Sequence, residues 1–247
     1  IIWAARMIVL LTDFGQSEYV GVMKGVILSI DPDAQIVDLC HTISPQNLVE
    51  ASWVLKNDYR YFRRGAVFCC VVDPGVGSQR RAIIVKTNNN IFVAPDNGLL
   101  TETLRDQTMV TIRQLPIPAD ASRTFHGRDV FAKAAARAHL GHFDELGDEI
   151  ESIEALELYL DGREGLVVRI DRFGNIVTNL PPLDKNEYTV AIEGQTHTMR
   201  HHATYDAARA DELFLITGSN NTLEISRQNA SAATRLNLRP GQRITVS

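Results

Sequence analysis

Acidic residues follow apolar runs at three points in the first half of the chain. Asp13 closes LLTDFG, Asp73 opens the loop of VVDPGVGSQRR, and Asp96 with Asn97 lies in FVAPDNG. A single Asp after a strand is commonly a turn former or a helix cap. Three such ends point further, because the ligand crevice of an open α/β sheet lies beyond the carboxyl ends of its strands. Arg80 and Arg81 follow Asp73 closely, and either can pair with it. His126, in RTFHGRDVF, stands before an Ala-rich segment. It reads as a helix-entry residue bonded to backbone or as an acid–base group, with Asp129 an early-turn acid favoured by the helix dipole.

Several chemistries are disfavoured by spacing. DPGVG runs on into Ser78-Gln79-Arg80 rather than the Gly-Lys-Ser/Thr of a Walker loop, and no GxGxxG follows a strand. Phosphate binding by the usual routes is therefore not expected, while a nucleoside without phosphates remains open. The histidine sets His139/His142 and His197/His201/His202 lack the cysteine or carboxylate partners of known zinc spacings, so no metal is expected. In the second half, DRFGNIVTN (171–179) and TGSNNTLEISRQNAS (217–231) gather polar residues around turns. FGN and GSNN read as ordinary hairpin turns. Asp, aromatic and Asn together can also clamp ribose hydroxyls, stack a base and bond its edge.

The elements that must position these residues change character along the chain. MIVLLT (7–12), QIVDL (35–39), AVFCCVV (66–72), AIIVKT (82–87) and IFVA (91–94) read as strands. VGVMKGVILSI (20–30), LVEASWVLKNDYRYF (48–62) and VFAKAAARAHL (130–140) have helical spacing. This alternation predicts an α/β/α domain with a mostly parallel sheet over 7–158. After about residue 160, LVVRI, YTVAIEG, THTMR, LFLITG, TLEIS and RITVS are short strands with one helical turn near SAATRL. They predict a small all-β barrel over 163–247. The acidic stretch 142–165 serves as connection, with the boundary near 155–163.

Composition narrows the class. The 247 residues are 45% hydrophobic and 22% charged, enough to bury a core. A net charge of −5 argues against nucleic acid, whose binding needs clustered Lys and Arg. No apolar run reaches the roughly 20 residues of a membrane helix. Three cysteines, Cys40, Cys69 and Cys70, form no CxxC, and the last two fall on opposite faces of one strand. A reducing, cytoplasmic location is expected. IIWAARM is too short for a secretory signal, and Met7 is expected to be the natural start after a short leader.

TDFG…YVGVMKG, VVDPGVGSQRR, APDNG, TFHGRDVF, DRFGNIVTN and GSNNTLEIS occur in that order and span nearly all of the chain. Together they resemble the S-adenosyl-L-methionine (SAM) hydroxide adenosyltransferases, hydrolase relatives of the bacterial fluorinase and chlorinase. The resemblance implies an α/β domain followed by a small barrel. It implies hydrolysis of SAM to adenosine and L-methionine without a cofactor, in a homotrimer whose sites lie between one subunit's first domain and its neighbour's barrel.

Carried onto this sequence, the family's water-holding set falls on Asp73, Arg80 and His126, with Arg81 the alternative partner. Asp13 matches the acid on the ribose hydroxyls. Asp171, Phe173 and Asn175 match the nucleoside-binding FGN signature, and Tyr205 matches a ring stacked on adenine. Ser219, Asn220, Glu224 and Arg227 fall in the segment for the methionine end and the base. Tyr19, Asp96, Asn97 and Phe125, inside the shared motifs, are also expected to bind substrate. The halogenases differ: a Tyr near the position of Asp73, a Ser in place of Gly127, an extra loop, and in the fluorinase an arginine in place of Asn220. These departures favour water over halide. The alternatives are a halide-dependent adenosyltransferase and a non-catalytic nucleoside-binding protein. In the hydrolase, Asp73 can take the water's proton directly or through His126 while Arg80 stabilises developing hydroxide.

Overall fold

The computed structural model describes residues 7–247, and the expectation of a leader before Met7 falls outside them. The chain folds as two units, one ending at Glu157 and the other spanning Leu158–Ser247. The first contains strands β1 (Met7–Thr12), β2 (Gln35–Cys40), β3 (Val67–Val71), β4 (Ala82–Lys86), β5 (Ile91–Pro95), β6 (Thr111–Leu115) and β7 (Asp148–Ile150). They form one sheet in the order β2-β1-β3-β5-β4-β6-β7. β2, β1, β3 and β5 run parallel, while β5–β4, β4–β6 and β6–β7 pair antiparallel. The α/β architecture is as expected, and the sheet is mixed. Only Thr87–Asn90 separates β4 from β5, too short a link for a crossover, so the two close as a hairpin. There the Thr87 hydroxyl accepts from the backbone N–H of Asn89 and Asn90.

Helices α1 (Glu18–Ile30), α2 (Leu48–Asp58), α3 (Thr101–Leu104) and α4 (Ala132–His139) cover the sheet. α1 and α4 lie over the face of Ile8, Leu10, Cys69 and Val71; α2 covers that of Val9, Leu11, Phe68 and Cys70. Cys69 and Cys70 thus point to opposite faces, each fully buried, and burial pushes both thiols well above the usual range. Three elements depart from the periodicity reading. The second helix stops at Asp58 and tightens to a 3₁₀ turn over Tyr59–Tyr61, where Tyr59 and Phe62 turn edge-on to Phe68. The Ala-rich helix is entered through a π-helical turn at Gly127–Phe131. β7 lies inside the acidic stretch that reads as connection; it is short, polar and at the sheet edge, so it carries no apolar alternation.

The second unit contains β8 (Glu164–Ile170), β9 (Ile176–Thr178), β10 (Glu187–Ile192), β11 (Gln195–Arg200), β12 (Leu213–Thr217), β13 (Leu223–Arg227), helix α5 (Ala232–Leu236) and β14 (Arg243–Val246). The order β11-β10-β14-β8-β9-β13-β12 is antiparallel throughout. Its ends nearly meet, with His202 N–H donating to Leu215 O at 2.8 Å. Inward residues Val167, Ile176, Val190, Leu215, Ile225 and Ile244 fill this near-barrel. Tyr188 is buried among them because its hydroxyl both donates to and accepts from the Leu183 backbone at 2.7 Å. Among the described residues no helix is long and apolar enough to cross a membrane.

Candidate active site

The topology brings the strand-end residues of the first unit to one edge. β1, β3 and β5 end where antiparallel β4 begins, so Arg80 and Arg81, just before β4, face the acids that follow β3 and β5. The two arginines divide the work. Arg80 donates from Nε to Asp73 Oδ1 at 2.9 Å and from Nη2 to Asp73 Oδ2. Arg81 donates from Nε to Asp96 Oδ2 at 2.7 Å.

The loop between Asp73 and Arg80 folds back through Val76 N–H to Asp73 O, and Ser78 N–H and Oγ–H to Gly75 O. Gly77 adopts φ +76°, and a Cβ there would lie 2.3 Å from Arg123 O. Only glycine fits at that point. The Asp73 and Arg80 side chains are only 6% and 8% exposed, and the guanidinium lies 5.2 Å from the centre of the Phe131 ring. A buried pair of this kind is held by its bidentate geometry, since desolvating each charge alone is costly.

His126 completes the set. Arg80 Nη2 lies 2.8 Å from His126 Nδ1, and a guanidinium can only donate, so Nδ1 accepts and the ring proton sits on Nε2. Burial, and then the Arg80 charge, hold the imidazole below its ordinary value of 6.5. Asp73 and His126 line a cleft of about 280 Å³ with Asp13, Phe14, Tyr19, Gln46 and Phe125.

Asp13 stands on another wall. Gln46 N–H donates to its Oδ2 at 2.8 Å. Burial raises its carboxyl above the usual 3.8, and the Asp73 charge adds to the effect. Gln46 holds φ +64°, an uncommon conformation for a side chain with a Cβ. Interlocking bonds at the start of α2 fix it: Glu50 N–H to Asn47 Oδ1, and Ser44 N–H to the Glu50 carboxylate, both 2.9 Å. Tyr19, Phe14 and Phe125 form an edge-on aromatic cluster with centroids 5.0–6.0 Å apart. Sequence reasoning missed Gln46 because a backbone donor leaves no residue-type signal.

Asp96 and Asn97 face inward to the protein. Asp96 accepts from Arg81 and, at 2.7 Å, from Glu154 N–H, and is 3% exposed. Asn97 Nδ2 donates to Val72 O, bracing the residue before Asp73. Neither lines the cleft.

The second unit holds a cavity of about 600 Å³ lined by Asp171, Phe173, Asn175, Tyr205 and 227–231. Asp171 Oδ1 accepts from the N–H of Phe173 and Asn175, and Oδ2 from Asn175 Nδ2, all at 2.8 Å. The FGN turn is thereby wound around one carboxylate, leaving the Phe173 ring 78% exposed. Tyr205 donates to Glu224 Oε2 at 3.2 Å. Burial, then Glu224, push its phenol up to about 12, and burial also raises Glu224. Arg227 pairs with Asp211 at 2.5 Å. Ser219 and Asn220 lie in the β12–β13 turn outside the cavity lining.

Among the described residues no three His, Cys, Asp or Glu side chains gather as metal ligands. His201 and His202 bond instead to Thr217 and Glu212.

Comparison with known proteins gives a consistent picture. The SAM hydroxide adenosyltransferase N-terminal domain matches residues 8–147, and the C-terminal domain of the same family matches residues 165–245. The chain is 36% identical to an (R)-S-adenosyl-L-methionine hydrolase of Thermus thermophilus, covering 98% of this chain and 99% of that one. It is 39% identical to an (R)-S-adenosyl-L-methionine hydrolase of Methanocaldococcus jannaschii over 70% of this chain and 66% of that one. The crystal structure of an uncharacterized conserved protein from Thermotoga maritima superposes with a TM-score of 0.88 at 34% identity, covering 98% of this chain and 100% of that one.

Proposed function

The chain belongs to the SAM hydroxide adenosyltransferase family, and from that premise we propose that it hydrolyses S-adenosyl-L-methionine to adenosine and L-methionine. The observation that carries the reading is the interlocked set of Asp73, Arg80 and His126, of which Asp73 and His126 line one cleft with Asp13. A protein that only bound a nucleoside would have no use for such a buried set. Water attacks C5′, the C5′–S bond breaks, and methionine leaves as a neutral thioether, so the protein's task is alignment in a partly dried site. One proton must depart from the water. His126 Nδ1 already spends its lone pair on Arg80, whereas a carboxylate keeps further acceptor sites after two bonds. Asp73 therefore takes the water's proton, Arg80 stabilises the developing hydroxide, and His126 holds Arg80 in place.

The remaining assignments follow the resemblance. Asp13 accepts the ribose hydroxyls, and Tyr19 and Phe125 form an apolar wall. Asp171, Phe173, Asn175 and Tyr205 receive the nucleoside, while Ser219, Asn220, Glu224 and Arg227 serve the methionine end and the base. Asp96 and Asn97 act by bracing the strand ends rather than by touching substrate, consistent with their bonds to Arg81 and Val72. Water rather than halide is the nucleophile: Gly127 stands where the halogenases carry a serine, and a Cβ there would sit 3.1 Å from the Phe125 ring and 3.3 Å from Met23 Sδ, so a serine requires those side chains to shift by a few tenths of an ångström. Incubating purified protein with SAM, with and without chloride, and identifying the nucleoside tests this reading. Adenosine alone is expected; 5′-chloro-5′-deoxyadenosine would point to the halide reaction, and no turnover to a binding protein.

A cytoplasmic homotrimer, with sites shared between neighbouring subunits, is the assembly the family resemblance favours. Mixing inactive Asp73→Asn with an inactive Asn175 variant under subunit exchange should then recover activity. Demonstrated exchange without recovery would reject shared sites.

A further inference from the structure

Beside the cleft, and outside the set described above, a chain of polar contacts runs from β1 to α1. Thr12, the last residue of β1, is fully buried, and its hydroxyl lies 2.9 Å from His41 Nδ1. The same hydroxyl oxygen accepts from Phe14 N–H at 3.2 Å. Its proton is free to point at Nδ1, which places the imidazole proton on Nε2, 3.0 Å from Asp38 Oδ1. Asp38 Oδ2 in turn lies 2.6 Å from Lys24 Nζ on α1. The His41 backbone joins in, its carbonyl accepting from Gly15 N–H at 2.7 Å. His41 therefore grips both ends of Thr12–Gly15, the segment that carries Asp13 and Phe14 into the cleft.

A hydroxyl, an imidazole and a carboxylate in succession also make up a nucleophilic triad. Thr12 cannot act as one, because its oxygen has no exposure to any substrate. What the chain can do is aim. β1 pairs with β3 in unbroken register as far as Thr12↔Val71, but on its other edge its pairing with β2 shifts register at Leu10/Leu11 and stops at Leu11↔Cys40, so Thr12 has no strand partner on the β2 side. Strand pairing ends at Thr12, so it does not reach Asp13 itself. The Thr12–His41 contact adds a fastening on the β2 side, and the Asp38 carboxylate, 3.0 Å from Nε2, favours the ring with its proton on that nitrogen.

We propose that His41 is a positioning residue for Asp13, directing that carboxylate at the ribose hydroxyls through Thr12. The proposal rests on the ribose reading of Asp13 given above. It is tested in the full-length protein by measuring the affinities of adenosine and 2′,3′-dideoxyadenosine by calorimetry, with kcat and KM for SAM. Wild type should prefer adenosine. In His41→Ala that preference should shrink about tenfold, the scale seen on losing an outer partner, with KM rising and kcat changing much less. His41→Gln, which keeps a donor toward Asp38, should recover part of the preference. A variant that is merely less stable weakens both ligands alike, so an unchanged preference in His41→Ala overturns the proposal. If His41→Ala does not fold, His41→Gln and Asp38→Asn carry the test, each expected to show a smaller loss of preference, and unchanged preference in both overturns it. Wild type binding the two nucleosides equally would instead overturn the ribose reading, and the proposal with it.

Discussion

The cleft of the α/β unit and the cavity of the barrel both present acids beside aromatic rings, yet they hold them by opposite means. In the cleft the bonds reach far along the chain: Arg80 to His126 spans 46 residues and Gln46 to Asp13 spans 33. In the barrel, Asp171 spends its three bonds within four residues. The cleft therefore exists only when the sheet is assembled, whereas the FGN turn carries most of its own shape. The charges differ as well. Asp73 and Arg80 neutralise each other under near-complete burial, while the Asp171 carboxylate is consumed by neutral donors. Damage to the cleft should fall on chemistry, and damage to the barrel on binding and local stability.

Asp73→Asn tests the first half of that contrast with the largest effect. The amide keeps the shape but loses the proton acceptor and the charge facing Arg80. Hydrolysis should fall about 10²–10⁴-fold, the span of general-base contributions, with adenosine affinity nearly unchanged. Single-turnover kinetics and calorimetry together check it. Wild-type turnover in this variant would remove Asp73 from the mechanism.

His126 gives a smaller effect and a pH signature. Its folded value is lowered by burial and by Arg80, so the neutral ring persists below pH 6.5. Since the unfolded ring takes up its proton first on acidification, stability is full above about pH 6.5 and is lost as pH falls toward the folded value. Activity should follow the same direction, flat through neutrality and falling only on the acid side. His126→Ala should lower turnover at least tenfold and remove that acid limb. A limb that persists unchanged in the variant would assign it to another group.

How far these contrasts were readable beforehand depended on the kind of signal each residue leaves. Asp13, Asp73 and Asp96 announce themselves as acids at the ends of apolar strands, and the barrel strands by their short, turn-bounded runs. The pairing of Arg80 rather than Arg81 with Asp73 was not decided by local spacing, because it depends on β4 running antiparallel from the shared edge. Asp96 carries the same strand-end signal as Asp73 but bonds to Arg81 and Glu154, since sequence shows where a side chain starts and not what it faces. Gln46 and the π-helical turn left no pattern: one contributes a backbone N–H, and the other is a one-residue change of helical pitch.

Asp13→Ala should sit between the two regions, costing binding although it lies in the cleft. Charge-assisted bonds to ribose hydroxyls are worth about 1.5–3 kcal/mol each, so adenosine should bind at least tenfold more weakly while kcat falls less. Because burial raises the Asp13 carboxyl, wild-type adenosine affinity should decline on acidification at a pH above the ordinary 3.8. Calorimetry across pH measures both. An affinity independent of pH down to that value would mean the carboxylate is not the ribose acceptor.

Gly174→Ala offers the smallest effect on turnover and the sharpest test of how local the barrel signature is. Gly174 holds φ +82°, and an added Cβ would meet Ser231 Oγ at 2.2 Å and Ser231 Cα at 2.8 Å. Through this contact the FGN turn reaches α5, where Gly174 O accepts from Ala233 N–H at 2.9 Å and the Ser231 hydroxyl caps the helix at Thr234 N–H. Left-handed strain at a residue with a Cβ costs about 1–3 kcal/mol, and the clash adds to it. Thermal unfolding should therefore shift down by several degrees, with adenosine affinity reduced and turnover at saturating SAM largely kept. Removing the Ser231 side chain with Ser231→Gly takes away its part of the clash and leaves the contact with the Ser231 backbone. If the clash dominates, the double variant is more stable than the sum of the single losses allows, and the turn depends on α5 as the cleft depends on its sheet. If the two losses simply add, the Ser231 side chain carries none of the cost, which then lies in the left-handed backbone and the Ser231 backbone contact.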